Sequence, residues 1–454
     1  MNIAEVIKEM EYGNKSDTKE SDNGKPAHLL FVNQHYTPDV APTGKYLANL
    51  AEYLVAHGYH VTVICSHGRY LGGQLDVPYQ ETINGVNIVR VPATSMGRSS
   101  HLRRLIDYSS FMLLTLWKAL SKVKKPDMIC CLTTPPMLGL IGYLINRIKG
   151  IKYIMWSMDL HPEAENALNM LPSFKPLISL LLKLGRFIYQ KADGVVSLGP
   201  EMTRLIKNYP VPSEKIFQIP TWENGQLIRP LNGEARKEDY AFLMRNRDKF
   251  VVNYSGNIGL VHDLESISQV IYRLKDQKDL LFLFNGDGPR LDELQDYIRR
   301  HHIKNVEFHP YVHRSRLVYT LNRADLHWYS LKEECTGIAV PSKMISYMAS
   351  GIPQIFIGSP RADNAQTVHA ARCGYTFKPE YIDSIAEHIL HLKKDHSLRS
   401  KLGLNGRRYF EKHLEKDINC SHWLSLIDRL VESGVSPQKG EGIYMNGYSK
   451  IPGS

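Results

Sequence analysis

No apolar run in these 454 residues reaches the roughly 18 needed to cross a bilayer as a helix. The chain also starts without the apolar core of a secretory signal, so a cytoplasmic protein is expected. Six cysteines stand at positions 65, 130, 131, 335, 373 and 420. No pair has metal-site or redox-motif spacing, which excludes a zinc-ribbon or thioredoxin-like reading and predicts reduced thiols. Only Cys130 and Cys131 lie close together, inside an apolar run that reads as a buried strand. Arginine-rich helices and RNA-recognition signatures are missing, and nucleic acid is not expected as a partner. The chain has neither a Gly-x-x-x-x-Gly-Lys phosphate loop nor a Gly-x-Gly-x-x-Gly dinucleotide loop.

What remains is an ordinary globular composition, 43% hydrophobic and 22% charged, with a basic balance. Fifty-six Lys and Arg against 46 Asp and Glu give a net charge of +10, which favours an anionic partner such as a nucleotide or a membrane surface. The length allows two or three domains, each able to bury its own core. Residues 11–26 are rich in Asp, Glu, Lys, Ser, Asn and Gly, so 1–26 reads as a flexible N-terminal tail. Residues 437–454 read as a second tail.

Short apolar runs alternate with helical patterns from Leu29 onward. Leu29–Val32, His60–Cys65, Val86–Val91, Met128–Leu132, Tyr153–Trp156 and Gly194–Ser197 form one series of strands. The rhythm restarts at Phe250–Tyr254 and continues through Leu281–Phe284, Val306–Phe308, Leu326–Tyr329 and Gln354–Ile357. Strands alternating with helices predict an α/β protein with parallel, doubly wound sheets. We place an N-terminal Rossmann-like domain at 27–222 and a second at 234–404, with a linker from Trp222 to Gly233. Two helical stretches, His101–Lys125 and Pro176–Arg186, carry apolar centres flanked by Lys and Arg. That pattern suits a helix lying in an anionic membrane interface, and equally a core helix with solvated charged ends.

The segment Val340–Pro353 reads as a loop feeding a helix. Pro341 suits the entry, Ser342 an N-cap, and Gly351 with Pro353 the stop. Lys343 then adds a full charge to a helix start that already favours anions. An ordinary capped surface helix with a solvated lysine has the same local pattern. Gly256-Asn257-Ile258-Gly259 and Gly286-Asp287-Gly288-Pro289 each follow a strand, where glycines can leave room for a phosphate or make a tight turn. Asp159-Leu160-His161-Pro162-Glu163 puts two carboxylates and an imidazole on one loop. They could orient and deprotonate a sugar hydroxyl, or Asp159 could cap a helix that has Glu163 in its first turn. Thr43 and Gly44 open the helix after the first strand, where ligands of such sheets sit.

Together these segments, with His35–Gly44 and Ile219–Trp222, resemble the family 4 glycosyltransferases of the GT-B fold, and within them the colanic-acid, O-antigen and exopolysaccharide enzymes. The resemblance covers roughly residues 27–425 and rests on motif order and spacing. It implies two Rossmann-like domains facing a central cleft, acceptor side first and donor side second, with a C-terminal helix at 405–433 crossing back. It also implies a retaining hexosyltransferase that needs no metal or other cofactor. The partners would be a nucleotide sugar, UDP-linked by default, and a lipid-linked or oligosaccharide acceptor at the cytoplasmic face of a membrane. On the donor side it implies Gly44, Gly256, Asn257, Gly259, Gly286, Asp287, Gly288, Ser342, Lys343 and Ser346. On the acceptor side it implies Thr43, Asp159 and His161, with Asp159, Glu163 and Lys343 as the catalytic groups and Glu163 the partner of Asp159. His309–Val312 would flank the base.

Two departures from the family pattern stand out. Asn257 and His262 occupy positions where many members have an Arg and a Lys on the pyrophosphate, which shifts the expected cation to Lys343. Ile338 and Ser346 occupy the positions of two family Glu residues, the second of which usually holds the ribose. Glu333 or Glu334 would have to substitute, or the ribose would be held differently. A serine gives one hydrogen bond but no bidentate carboxylate contact. This loss keeps a non-catalytic membrane-associated scaffold open as an alternative, beside a sugar-nucleotide epimerase of the same fold.

Overall fold

The computed structural model describes residues 26–432 except 40, 69–72, 95–100, 122, 124, 172–174, 232–245 and 247. Both expected tails, apart from Pro26, lie outside the described residues, as do Lys122 and Lys124 of the first basic helical stretch. The described chain forms two compact units. One contains the residues through Ser157, Leu184–Val196 and those from Cys420 onward; the other contains Met158–Lys183 and Ser197–Asn419.

The first unit is built on β1 (His28–Val32), β2 (His60–Ser66), β3 (Gln80–Ile83), β4 (Val86–Val91), β5 (Met128–Cys131), β6 (Lys152–Trp156) and β7 (Gly194–Ser197). From one edge they run β3-β4-β2-β1-β5-β6-β7. All pairs are parallel except β3 with β4. β1 and β5 are buried along their whole length, as continuous apolar runs covered on both faces require. Chain order reverses between β1 and β5, so the loop after β1 opens at a switch point. β3 has no counterpart among the expected strands. Its signal was Asn84-Gly85, both at positive φ, the usual two-residue hairpin turn.

The helix Pro42–Ala56 follows β1 and buries Tyr46, Leu47, Leu50 and Leu54 on one face. Each fully buried Leu there contributes roughly 2 kcal/mol through the apolar surface it removes from water. Residues 420–432 pack within this unit. Trp423 lies 4.5 Å from Trp156, centroid to centroid, and Lys152 Nζ donates to Leu430 O at 2.8 Å. The single C-terminal helix expected at 405–433 is two helices, His396–His413 and Lys416–Glu432. All six cysteines are buried and unbridged.

After the short strand β8 (Ile216–Gln218), the second unit carries β9 (Phe250–Ser255), β10 (Leu280–Asn285), β11 (Val306–His309), β12 (Leu326–Ser330), β13 (Gln354–Ile357) and β14 (Gly374–Phe377). The order β11-β10-β9-β12-β13-β14 is parallel throughout. Its core gathers Tyr254, Phe282, Phe284, Trp328, Tyr329 and Tyr347 around the central strands. Here the switch point falls between β9 and β12, so the loops after these two strands flank it.

Candidate functional site

The loops after β9 and β10 are locked together by backbone. Gly256 N donates to Asn285 O and Ile258 N to Asp287 O, both at 2.8 Å. Gly286 has φ +153°, and a Cβ on it would stand 2.1 Å from Gly256 O. A Cβ on Gly288, at φ +155°, would stand 2.5 Å from Ile258 O. Two of the glycines assigned to the donor therefore have a structural duty first: only a hydrogen in place of a side chain lets the two loops touch. Tyr311 joins the same wall, its hydroxyl 3.4 Å from Asp287 O, and Gly286 N donates to His309 O.

Across the switch point, the β12 loop leads into the helix Lys343–Ser350. Lys343 is its first residue, and its side chain folds onto the β9 loop. Nζ donates to Asn257 O at 2.9 Å, lies 3.0 Å from His262 Nε2, and sits 4.9 Å from the centre of the Tyr254 ring. Burial holds this amine far below the usual lysine range, at about 7. Burial, with Lys343 alongside, also pushes His262 well below the ordinary imidazole value. The structure thus brings Gly256, Asn257 and Lys343 together, as expected, and adds His262 as a direct partner of the lysine.

Ser342 is not the side-chain cap that its position suggested. It has helical backbone angles (φ −74°, ψ −10°), and its hydroxyl makes no capping hydrogen bond. Ser346, three residues into the helix, donates to Glu223 Oε2 at 2.9 Å. Neither Glu333 nor Glu334 makes this contact. Glu333 accepts instead from Ser359 Oγ at 2.9 Å, and the carboxylate that reaches Ser346 comes from the segment after β8. Glu223 is itself buried, and its Oε1 accepts from Asn224 N. Nothing in the linker sequence signals that role. Tyr347 ties the helix to β9, its hydroxyl accepting from Ser255 N at 3.0 Å, while its ring stacks on His327 at 4.0 Å.

Asp159 lies in the same unit, in an isolated antiparallel bridge with Ala339. Leu160 N donates to Ile338 O at 2.9 Å, which fastens this loop to the approach of the Lys343 helix. Burial raises the Asp159 pKa against the pull of His161. On this loop the carboxylate that engages the imidazole is Glu165, whose two oxygens lie 2.8 and 2.9 Å from His161 Nδ1. Burial alone would lower the His161 pKa, but Glu165 and the neighbouring carboxylates reverse the shift. Glu163 Oε1 is buried with no hydrogen-bond partner among the described residues. Nor does Asp159 cap the helix Glu163–Ala167, whose N-cap position is held by Pro162. One turn of helix puts His161 and Glu165 on the same face, a spacing as legible as the one chosen.

Thr43 and Gly44 belong to the first unit. Thr43 Oγ1 accepts from Asn33 Nδ2 at 3.2 Å, and Asn33 Nδ2 also donates to His35 O. A Cβ on Gly44 would meet His35 O at 3.1 Å, so the glycine lets the helix start lie against the β1 loop. His35 Nδ1 and Asp39 Oδ2 are 2.8 Å apart and buried together. Among the described residues no group of three or more His, Cys, Asp or Glu side chains is arranged to hold a metal ion.

Residues 43–222 match the family described as Glycosyl transferase 4-like domain, and residues 235–409 match Glycosyl transferases group 1. The chain belongs to the glycosyltransferases of the GT-B type. This glycosyltransferase is 22% identical over 402 residues to WcaI of Escherichia coli (strain K12), whose name assigns it to colanic acid biosynthesis as a glycosyl transferase; the match spans 86% of this chain and 97% of WcaI. Its fold is also that of two solved structures. Sucrose-phosphate synthase from Thermosynechococcus elongatus superposes with a TM-score of 0.72 at 16% identity, over 89% of this chain and 99% of that one. Anabaena HepE, solved in complex with UDP-glucose, superposes with a TM-score of 0.65 at 12% identity, over 88% and 99%.

Proposed function

We propose that this glycosyltransferase moves a hexose from a nucleoside diphosphate, UDP by default, to a hydroxyl of a lipid-linked or oligosaccharide acceptor, with retention at the anomeric carbon, in the assembly of a cell-surface polysaccharide. The observation that carries this reading is Lys343: a buried amine at the start of a helix, lying on a glycine loop at a switch point. As the sugar–phosphate bond breaks, negative charge grows on the departing diphosphate. The Lys343 ammonium and the first turn of its helix would stabilise that charge without reorganising, and no metal or other cofactor enters the step. The sugar hydroxyl would attack from the face the diphosphate leaves, its proton passing to the departing phosphate oxygen. Asp159 and His161, held at the loop beside Ile338 and Ala339, would orient the acceptor. Glu223 at Ser346 supports the enzymatic reading over a silent scaffold, because a carboxylate reaches the position where the family Glu is missing.

A lipid-linked acceptor would put the work at the cytoplasmic face of a membrane. The helix His101–Ser121 supports this, since Leu105, Ile106, Leu113 and Trp117 are exposed within one third of its circumference, near Arg103, Arg104 and Lys118.

A thermal-shift screen against UDP, GDP, ADP, CDP and dTDP, with NAD as control, tests the donor site. A ligand that binds only the folded protein raises its melting temperature, by mass action. One nucleotide should stand out at millimolar concentration. A flat response to all five would remove the donor-site reading and leave the scaffold.

A further inference from the structure

The reading of Lys343 as the diphosphate ligand leaves open what aims it. An ammonium has three N–H bonds. One goes to Asn257 O at 2.9 Å, and a second points at His262 Nε2, 3.0 Å away. The second contact depends on which imidazole nitrogen carries the proton. His262 Nδ1 lies 2.6 Å from Ser330 O, an atom that can only accept. The proton is therefore on Nδ1, and Nε2 presents a lone pair to Lys343. Ser330 is fixed in turn, its Oγ donating to Asp263 O at 2.9 Å.

We propose that His262 is a positioning residue for the transfer: with Asn257 O it grips two of the three N–H bonds of Lys343 and so directs the third at the incoming diphosphate. This rests on the donor-site reading above. The arrangement explains how a histidine can stand where a second cation is expected. A neutral acceptor orients the lysine, whereas a second cation in contact with buried Lys343 would repel it. The surrounding groups are consistent with a neutral ring. From β9 comes the Tyr254 ring, edge-on to the imidazole. Ahead of the helix Leu291–Arg300 lies Arg290, donating to His262 O and paired with Glu265 and Glu293. Asp263 is engaged by Ser266. Arg290 and Lys343 both act against a charged imidazole, as does burial.

Binding should also depend on pH through the lysine. With the amine of the free protein near 7, it is charged below that value and must take up a proton to bind above it. Affinity should therefore be flat on the acid side and fall by up to tenfold per pH unit on the alkaline side.

The experiment is calorimetric titration of the full chain with UDP, GDP, ADP and inorganic pyrophosphate from pH 6 to 9, in wild type and three variants. His262→Gln supplies a neutral amide oxygen to the lysine. His262→Leu fills similar space and supplies no acceptor. Lys343→Ala removes the cation. We expect Gln to bind within about threefold of wild type and Leu to bind about tenfold more weakly or worse, both retaining the alkaline decline. If Leu binds like Gln, or Gln is as poor as Leu, the positioning role is overturned. If Lys343→Ala binds like wild type, or wild type binds none of the four, the donor-site reading itself falls. A measurement on wild type guards against variants that do not fold: the nitrogen NMR shifts of His262 should show the proton on Nδ1, and a proton on Nε2 would overturn the inference.

Discussion

The two units place a loop at the same point of the same kind of sheet and hold it by different mixtures of backbone and side-chain contacts. After β1, polar side chains supplement backbone bonds such as Gln34 N to Thr134 O: Asn33 reaches His35 O and Thr43, His35 meets Asp39, and Arg90 donates to Thr37 O at 3.0 Å. After β9, the loop is held by backbone against backbone, with glycines where side chains would collide, and a single buried amine rests on it. Where a glycine faces a carbonyl at 2.1 Å from the Cβ position, as at Gly286, the approach of the two loops leaves no room for a side chain, whereas the tightest such approach at Gly44 is 3.1 Å. The second design suits a site whose amine must already be in position when a diphosphate arrives.

The largest effect is expected at the amine. Lys343→Ala should lower turnover by about a hundredfold to a thousandfold, the range seen when a charge-stabilising donor is removed, with the melting temperature little changed. Single-turnover kinetics measure this, and near-normal turnover would put the diphosphate elsewhere. The glycines test rigidity. Gly286→Ala should cost about 3 kcal/mol of folding stability, because its Cβ meets a carbonyl and its φ is unfavourable. Gly44→Ala, whose Cβ would clash far less, should cost about 1 kcal/mol or less in urea titrations. Equal costs would erase the contrast between the loops. The smallest effect on chemistry is expected at the surface of the first unit. Leu113→Ser with Trp117→Ser should reduce co-sedimentation with anionic vesicles severalfold and leave nucleotide affinity unchanged. Unaltered sedimentation would remove the membrane from the proposal.

The sequence was most legible where period and punctuation coincide. Buried runs such as Phe250–Tyr254 and Leu281–Phe284, followed by glycine loops, located the central strands and the site loops to within a residue or two. Lys343 was legible because a helix start and a cation share one short segment. Legibility failed where contact joins residues distant in the chain. Glu223 reaches Ser346 across 123 positions, and His262 reaches Lys343 across 81, with nothing local to mark either pair. Ser342 failed for a different reason: its residue type suits a cap, but the backbone turns into the helix before it can act as one. At Asp159 the motif was found, but the contact of His161 with Glu165 was not, because the two become neighbours only once the helical turn forms.

The lowered basicity of Lys343 also has a consequence for reactivity. Most lysines near pH 7 are almost wholly protonated and poor nucleophiles, whereas an amine held at about 7 offers a free lone pair in half of the molecules. Aldehydes that also carry a phosphate should therefore form an imine at this side chain in preference to the many solvated lysines, and reduction with borohydride would make the label permanent.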